Sequence, residues 1–382
     1  MTTDPHRDVL ERLAAIDRLR GLRARQGLDF TSNDYLAFAE SQALRDAAQA
    51  ALARGVPVGA GGSRLLRGNH LEHEALEEEA ARFFGTEAAL YFPTGFAANA
   101  AIAATLPRRE DLIVYDSLIH ASFRNGLDPT RVQAIPAPHN NVNAIEDIIK
   151  EWRGTANRGS GRVWIAAETL YSMDGDRAPL RDLVALADRH DAMLLLDEAH
   201  ATGVYGEQGK GLLNVELSPA YAGAPNIISL HTCGKALGVS GALICLPKLY
   251  RDFLVNRGRA FVYSTAPSPL MAAVVRESLK ICAGAALERD RLAVLVRQAS
   301  AGMKRLGLRA SGSQIQPVIL GQDRRALELA SALQGRGYDI RAIRPPTVPE
   351  ATARLRIALT LHVKPSELDA LFVDLSAEMA KI

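Results

Sequence analysis

The feature that most constrains this chain is the regular return of short apolar runs of strand length, at 88–93, 111–116, 132–137, 163–169, 193–199, 227–232 and 241–247. Several are apolar on both alternating faces, the pattern of strands in a mostly parallel sheet covered by helices on both sides. Between them lie helical periodicities, clearest in 179–190, where Leu180, Leu183, Val184 and Ala187 fall at i, i+3, i+4 and i+7. The alternation predicts an α/β domain, whose ligands bind beyond the carboxyl ends of the strands. With 382 residues, 48% of them hydrophobic, the chain has material for more than one lobe. Residues 1–40 are expected to supply an N-terminal arm and part of a small domain, 41–275 a large domain, and 276–382 the rest of the small one, with an antiparallel piece around 354–361. The polar stretch 153–161 reads as a connection.

Charge and cysteine usage narrow the partners. The 45 Lys+Arg against 43 Asp+Glu leave a formal charge of +2 with no run of like charge, which calls for neither nucleic acid nor a membrane surface. Cys233, Cys245 and Cys282 are odd in number and form no Cys-x-x-Cys pair, against a disulfide framework or a zinc site, so no metal is expected. Arg7, Asp8, Glu11 and Arg12 interrupt any apolar leader, and a reducing cytoplasm fits both observations. Residues 88–106 carry no charge and approach the length of a membrane span. Pro93, Gly95 and Asn99 interrupt them, and a strand, a turn and a helix account for both halves.

Three strand ends carry chemistry. The first run closes into Pro93-Thr94-Gly95-Phe96 ahead of an alanine-rich helix, and such a helix start offers free N–H groups and a positive dipole end to a phosphate. The run at 193–199 places Asp197 where a buried strand ends, with His200 in the following turn. Asp-Glu-Ala-His after a strand also serves helicase ATPases, but neither Gly209-Lys210-Gly211 nor Gly234-Lys235-Ala236 fits the phosphate loop those enzymes need. The run at 227–232 leads through Cys233-Gly234 to Lys235. A lysine, a carboxylate and a phosphate-type helix start in one sheet are what pyridoxal 5'-phosphate (PLP) requires: the amine forms a Schiff base, and the carboxylate keeps the pyridine nitrogen protonated so that the ring accepts electrons.

At this point the chain resembles the α-oxoamine synthases, fold-type I PLP-dependent transferases that condense an amino acid with an acyl thioester and lose carbon dioxide. The likeness covers nearly the whole length and rests on Ser32-Asn33-Asp34-Tyr35-Leu36, Gly61-Gly62-Ser63-Arg64, Thr94-Gly95-Phe96-Ala97-Ala98-Asn99, Tyr171-Ser172-Met173-Asp174-Gly175-Asp176, Asp197-Glu198-Ala199-His200, Thr232-Cys233-Gly234-Lys235 and Tyr263-Ser264-Thr265. It implies a mostly parallel seven-stranded sheet in the large domain, a smaller α+β domain built from both chain ends, and a homodimer with its active sites at the interface. It further implies that Lys235 forms the Schiff base, Asp197 pairs with the pyridine nitrogen, and His200 hydrogen-bonds the ring hydroxyl with Ser172 close by. His120 corresponds to the histidine that stacks on the ring. Gly95, Phe96 and Thr232 correspond to the phosphate cradle, completed by Ser264 and Thr265 from the partner subunit. Arg356 corresponds to the arginine that grips the amino-acid carboxylate, and Asn33, Glu168 and Thr347 to further residues of the substrate site. His73 and His139 receive no role. Arg67 and Asn69 depart from the small hydroxyl residues more usual there.

The run 342–349, with Ile315-Gln316-Pro317 before it, resembles the biotin-pathway members, which join L-alanine to a pimeloyl thioester carried by coenzyme A or acyl carrier protein. Lys235 would then remove the α-proton as general base, and His120 would donate to the carbonyl oxygen as charge develops there. Rival readings are a family member using glycine with acetyl-CoA or succinyl-CoA, or serine with a long acyl chain, and a non-catalytic subunit that keeps the fold.

Overall fold

The computed structural model describes residues 4–155, 161–217 and 223–382, so most of the connection expected at 153–161 lies outside the described residues. Two compact units emerge: one of residues 36–172 and 177–289, the other of 1–35, 173–176 and 290–382. The boundaries therefore fall at 35/36 and 289/290, where the sequence placed them near 40 and 275. The second shift has a packing cause. Helix Pro269–Gly284 lays Leu270, Ala273, Val274 and other apolar residues into the larger unit, where it packs on helices Gln42–Ala53 and Leu71–Phe84.

All seven apolar runs are strands of one sheet in the larger unit, in the order 88–92, 242–246, 227–232, 193–197, 163–168, 112–116, 133–137. Only 242–246 runs against its neighbours; the other contacts from 227–232 onward are parallel. The central strands 163–168, 193–197 and 227–232 are buried at every residue, as their unbroken apolar sequence requires. Helix Leu180–His190 buries the stripe Leu180, Leu183, Val184, Leu186 and Ala187. The uncharged stretch resolves into strand Ala88–Phe92 and helix Gly95–Thr105, and among the described residues no helix is long and apolar enough to cross a membrane.

The smaller unit holds a three-stranded antiparallel sheet in the order 342–343, 353–358, 315–321, so the antiparallel piece expected near 354–361 is its central strand. A two-stranded parallel pair, 28–29 with 338–339, ties the two chain ends together. Helices Asp323–Gly335 and Pro365–Met379 accompany the sheet.

Candidate active site

In the larger unit, parallel strands deliver Asp116, Glu168, Asp197 and Thr232 at their carboxyl ends. Past Thr232 the chain turns through Cys233 and Gly234 to Lys235, and Gly238 N–H closes the turn on Lys235 O at 2.8 Å. Gly238 adopts φ +67, and a Cβ there would lie 2.5 Å from the Ala39 nitrogen, so glycine is required by conformation and by space. Lys235 Nζ lies 2.8 Å from His200 Nε2, with His200 buried.

Asp197 is held from two sides. Oδ1 accepts from Ala199 N–H at 2.8 Å, and Oδ2 accepts from Asn99 Nδ2 at 2.6 Å. Asn99 Nδ2 also donates to Ser122 Oγ at 3.1 Å, and that hydroxyl lies 2.7 Å from His120 Nδ1. Ser122 N–H donates to the same ring nitrogen at 3.2 Å, so Nδ1 is the acceptor and the neutral ring carries its hydrogen on Nε2. Burial holds His120 below the usual imidazole range, with Asp197 pulling the other way and Lys235 and Arg124 reinforcing burial. A neutral His120 can donate through Nε2 without itself being a cation.

Glu168 stands in register with Asp197 on the adjacent strand. Its Oε2 accepts from Ser172 N–H at 3.0 Å, while Oε1 is buried with no hydrogen-bond partner. Burial first, then the neighbouring Asp197, push this carboxyl up to about 8 against the pull of Lys235. Glu168 is therefore a proton-holding group at neutral pH. The next residue of the Asp-Glu-Ala-His run has a different task. Glu198 accepts from Leu212 and Leu213 N–H, both at 2.8 Å, and so fastens the following chain segment.

The helix Gly95–Thr105 opens with Thr94 Oγ1 accepting from Ala97 N–H at 3.1 Å, and its earliest N–H groups, those of Gly95 and Phe96, have no intrahelical acceptor. Thr232 Oγ1 lies 3.5 Å from where a Cβ on Gly95 would sit, so a hydroxyl adjoins the helix start. Ser264 and Thr265 lie on a segment bridged to Ser63, and Ala266 N–H donates to Gly62 O at 2.8 Å. No hydrogen bond among the described residues joins these two side chains to the Lys235 cluster.

The remaining expected residues belong to the smaller unit. Arg356 Nη2 donates to Asn33 Oδ1 at 2.8 Å and lies 3.3 Å from Tyr35 OH, which itself donates to Asn33 at 3.0 Å. Strand Ala353–Ala358 is buried at every residue, so Arg356 is a held guanidinium rather than the wet face of a strand. Thr347 Oγ1 accepts from Arg20 at 3.0 Å. Arg20 was not singled out in the sequence, nor were its neighbours Arg23, Arg341 and Arg344, which line a cavity of about 660 Å³ with it. Asn99 stands in a motif that carries the resemblance but was given no role; its position four residues into a helix that starts at a strand end was the available signal. Asn69 explains its departure: it accepts from Arg64 Nε and donates to Glu74, both at 2.7 Å, fastening its loop.

The chain resembles known proteins over almost its full length. The model of the family "Aminotransferase class I and II" matches residues 25–374. An 8-amino-7-oxononanoate synthase of Herminiimonas arsenicoxydans is 40% identical over 92% of this chain and 89% of its own length, and one of Chromobacterium violaceum is 40% identical over 96% and 94%. Among solved structures, serine palmitoyltransferase from S. paucimobilis with PLP bound superposes with a TM-score of 0.89 at 23% identity, covering 99% of both chains. An 8-amino-7-oxononanoate synthase from Francisella tularensis gives 0.77 at 24% identity, covering 93% of this chain and 98% of its own; both show the shared fold. The chain belongs to the aminotransferase class I and II family, on the branch of the 8-amino-7-oxononanoate synthases.

Proposed function

We propose that this protein catalyses the PLP-dependent decarboxylating condensation of L-alanine with a pimeloyl thioester, of coenzyme A or acyl carrier protein, giving 8-amino-7-oxononanoate, carbon dioxide and free thiol in biotin biosynthesis. The observation that carries the reading is the linked set Lys235–His200 and Asp197–Asn99–Ser122–His120 at the carboxyl ends of a parallel sheet, in a chain whose curated relatives bear that enzyme's name. The residues fit the cofactor: an amine beside an imidazole, a carboxylate fixed by two donors, a helix start with an adjacent hydroxyl, and a buried carboxyl oxygen left without a partner.

When bound, PLP supplies an aldehyde for the lysine and a ring that takes up negative charge from the alanine α-carbon. The protein's own tasks follow from the geometry. Asn99 and Ala199 hold both Asp197 oxygens, so the carboxylate is oriented before a pyridine nitrogen arrives. The N–H groups of Gly95 and Phe96 with the Thr232 hydroxyl bind phosphate. Lys235 Nζ takes the α-proton and later returns one, and His200, whose Nε2 lies 2.8 Å from that amine here, would hydrogen-bond the ring hydroxyl with Ser172 close by. His120 Nε2–H donates to the acyl oxygen as charge grows on it. Arg356 receives the alanine carboxylate, the pairing in which a guanidinium fork is strongest, with Asn33, Thr347 and Glu168 as further substrate-site residues. Ser264 and Thr265 complete the phosphate site of a second subunit in a homodimer. The free, buried thiols Cys233, Cys245 and Cys282 support a cytoplasmic setting.

The test is thiol release by the PLP-loaded protein offered pimeloyl-CoA or pimeloyl-acyl carrier protein with L-alanine or glycine, and acetyl-CoA and succinyl-CoA as controls. Release requiring a pimeloyl donor and alanine is expected. Release only with glycine and a short acyl-CoA would overturn the substrate assignment.

A further inference from the structure

Outside that set stands a carboxylate–imidazole pair, Asp116 buried and His139 half-buried, with no task in the reaction just described. Asp116 ends strand Leu112–Asp116, and three donors converge on its side chain. Oδ1 accepts from Leu118 N–H at 2.8 Å, Oδ2 accepts from Asn140 N–H at 2.7 Å, and His139 Nδ1 lies 2.9 and 3.1 Å from the two oxygens. Burial alone would raise this carboxyl, yet the bonds from His139, Asn140 and Leu118 hold it below the usual range. With an ionised carboxylate as partner, His139 Nδ1 carries the hydrogen.

The pair links two segments that carry residues of the candidate site, the turn before His120 and the stretch from Glu168 to Ser172. On one side, Ser117 N–H donates to Ala137 O and Ile119 N–H to Asp116 O, so the turn 116–119 is pinned to the end of the neighbouring strand, and the next residue is His120, the N-cap of helix Ala121–Leu127. On the other side, the His139 ring meets the ring of Tyr171 edge-on, centroids 4.4 Å apart at 90°. Tyr171 is buried in the short segment between Glu168 and Ser172. Asn140, at φ +54, donates through Nδ2 to Arg177 O at 3.1 Å, and Arg177 bridges Leu170 of that same segment.

We propose that Asp116 and His139 form a positioning couple, which sets His120 and the 168–172 segment relative to each other and acts on the reaction through His120 without touching substrate. The proposal rests on the role given to His120 above. A couple of this kind fixes a ring to a fraction of an ångström, and misplacement of a catalytic group by about 1 Å costs up to about 100-fold in rate.

Two measurements test it. The first needs no cofactor: the ring signals of His120 are followed by NMR in the PLP-free protein. They are expected to shift in His139→Ala and to return toward the native position in His139→Asn, which retains an N–H donor near Nδ1; signals unmoved in His139→Ala would overturn the couple. The second is a cycle on turnover. His139→Ala is expected to lower kcat about 10-fold with the KM for alanine little changed, and to cost almost nothing further in a His120→Ala background. An equal loss in both backgrounds would show a general structural effect and end the proposal, and His139→Phe, which keeps an aromatic ring against Tyr171 and has no N–H donor, replaces His139→Ala in both arms if the latter fails to fold. A wild-type protein that releases no thiol from any donor would fail the proposed function, while the NMR arm still decides the couple.

Discussion

At the scale of single residues, the candidate site is governed by who holds each charge. In the proposed reaction, Lys235 is the amine on which both covalent attachment and proton transfer depend. Lys235→Ala is expected to retain PLP binding while kcat falls by at least about 1,000-fold; absorbance and single-turnover assays check both halves. Asn99→Ala leaves Asp197 Oδ2 buried with its 2.6 Å donor gone, a loss of about 1–3 kcal/mol. It should weaken PLP binding about tenfold or more, read by fluorescence titration. Glu168 gives a pH signature. Its carboxyl is raised to about 8 from an ordinary 4.5, so between those values the folded protein holds a proton that the unfolded chain has released. The contribution of this group to stability is thus full below about 4.5 and is lost as pH climbs toward 8. Urea midpoints of the PLP-free protein should fall less steeply over that window in Glu168→Gln than in the native chain.

At the scale of elements, the turns that leave the sheet decide the chemistry, and they are rigid for identifiable reasons. Gly238→Ala would force a side chain at φ +67 into the backbone of Phe38 and Ala39. It should destabilise the Lys235 turn by about 1–3 kcal/mol, seen as a lower melting temperature together with a lower PLP content. The strands themselves were legible in the sequence because burial on both faces leaves an unbroken apolar run, as in Val163–Glu168 and Met193–Asp197. Asp197 was legible for the same reason, since a charged residue closing such a run is conspicuous, whereas Lys235, three residues past its strand, stood out only beside Asp197 and the helix start at Gly95. Side-chain partnerships across elements were not. Nothing in the spacing says that Asn99 of one helix reaches Asp197 of a strand 98 positions later, or that His139 folds back onto Asp116. Two-residue strands such as 28–29 and 338–339 are too short to leave a periodicity, so the sequence groups both chain ends into one smaller lobe without showing the strand pairing that joins them.

At the scale of the molecule, Ser264 and Thr265 pose the question of assembly. Their segment is bound to Gly62 and Ser63 within the chain, and resemblance assigns their hydroxyls to the phosphate of the opposite subunit. If a two-fold dimer shares its sites in this way, each site draws Lys235 from one chain and Ser264 and Thr265 from the other. Lys235→Ala alone and the Ser264→Ala, Thr265→Ala double variant should then each be impaired, the first more severely. Co-refolding the two in equal amounts makes half of the dimers mixed. Each mixed dimer has one site with both lesions and one with neither, so activity should rise to about a quarter of the native value at equal protein, beyond what the double variant contributes by itself. The measurement is thiol release before and after mixing, with dimer formation followed by light scattering. Activity that merely averages the two parents, in a protein that does dimerise, would place both hydroxyls outside the partner's site.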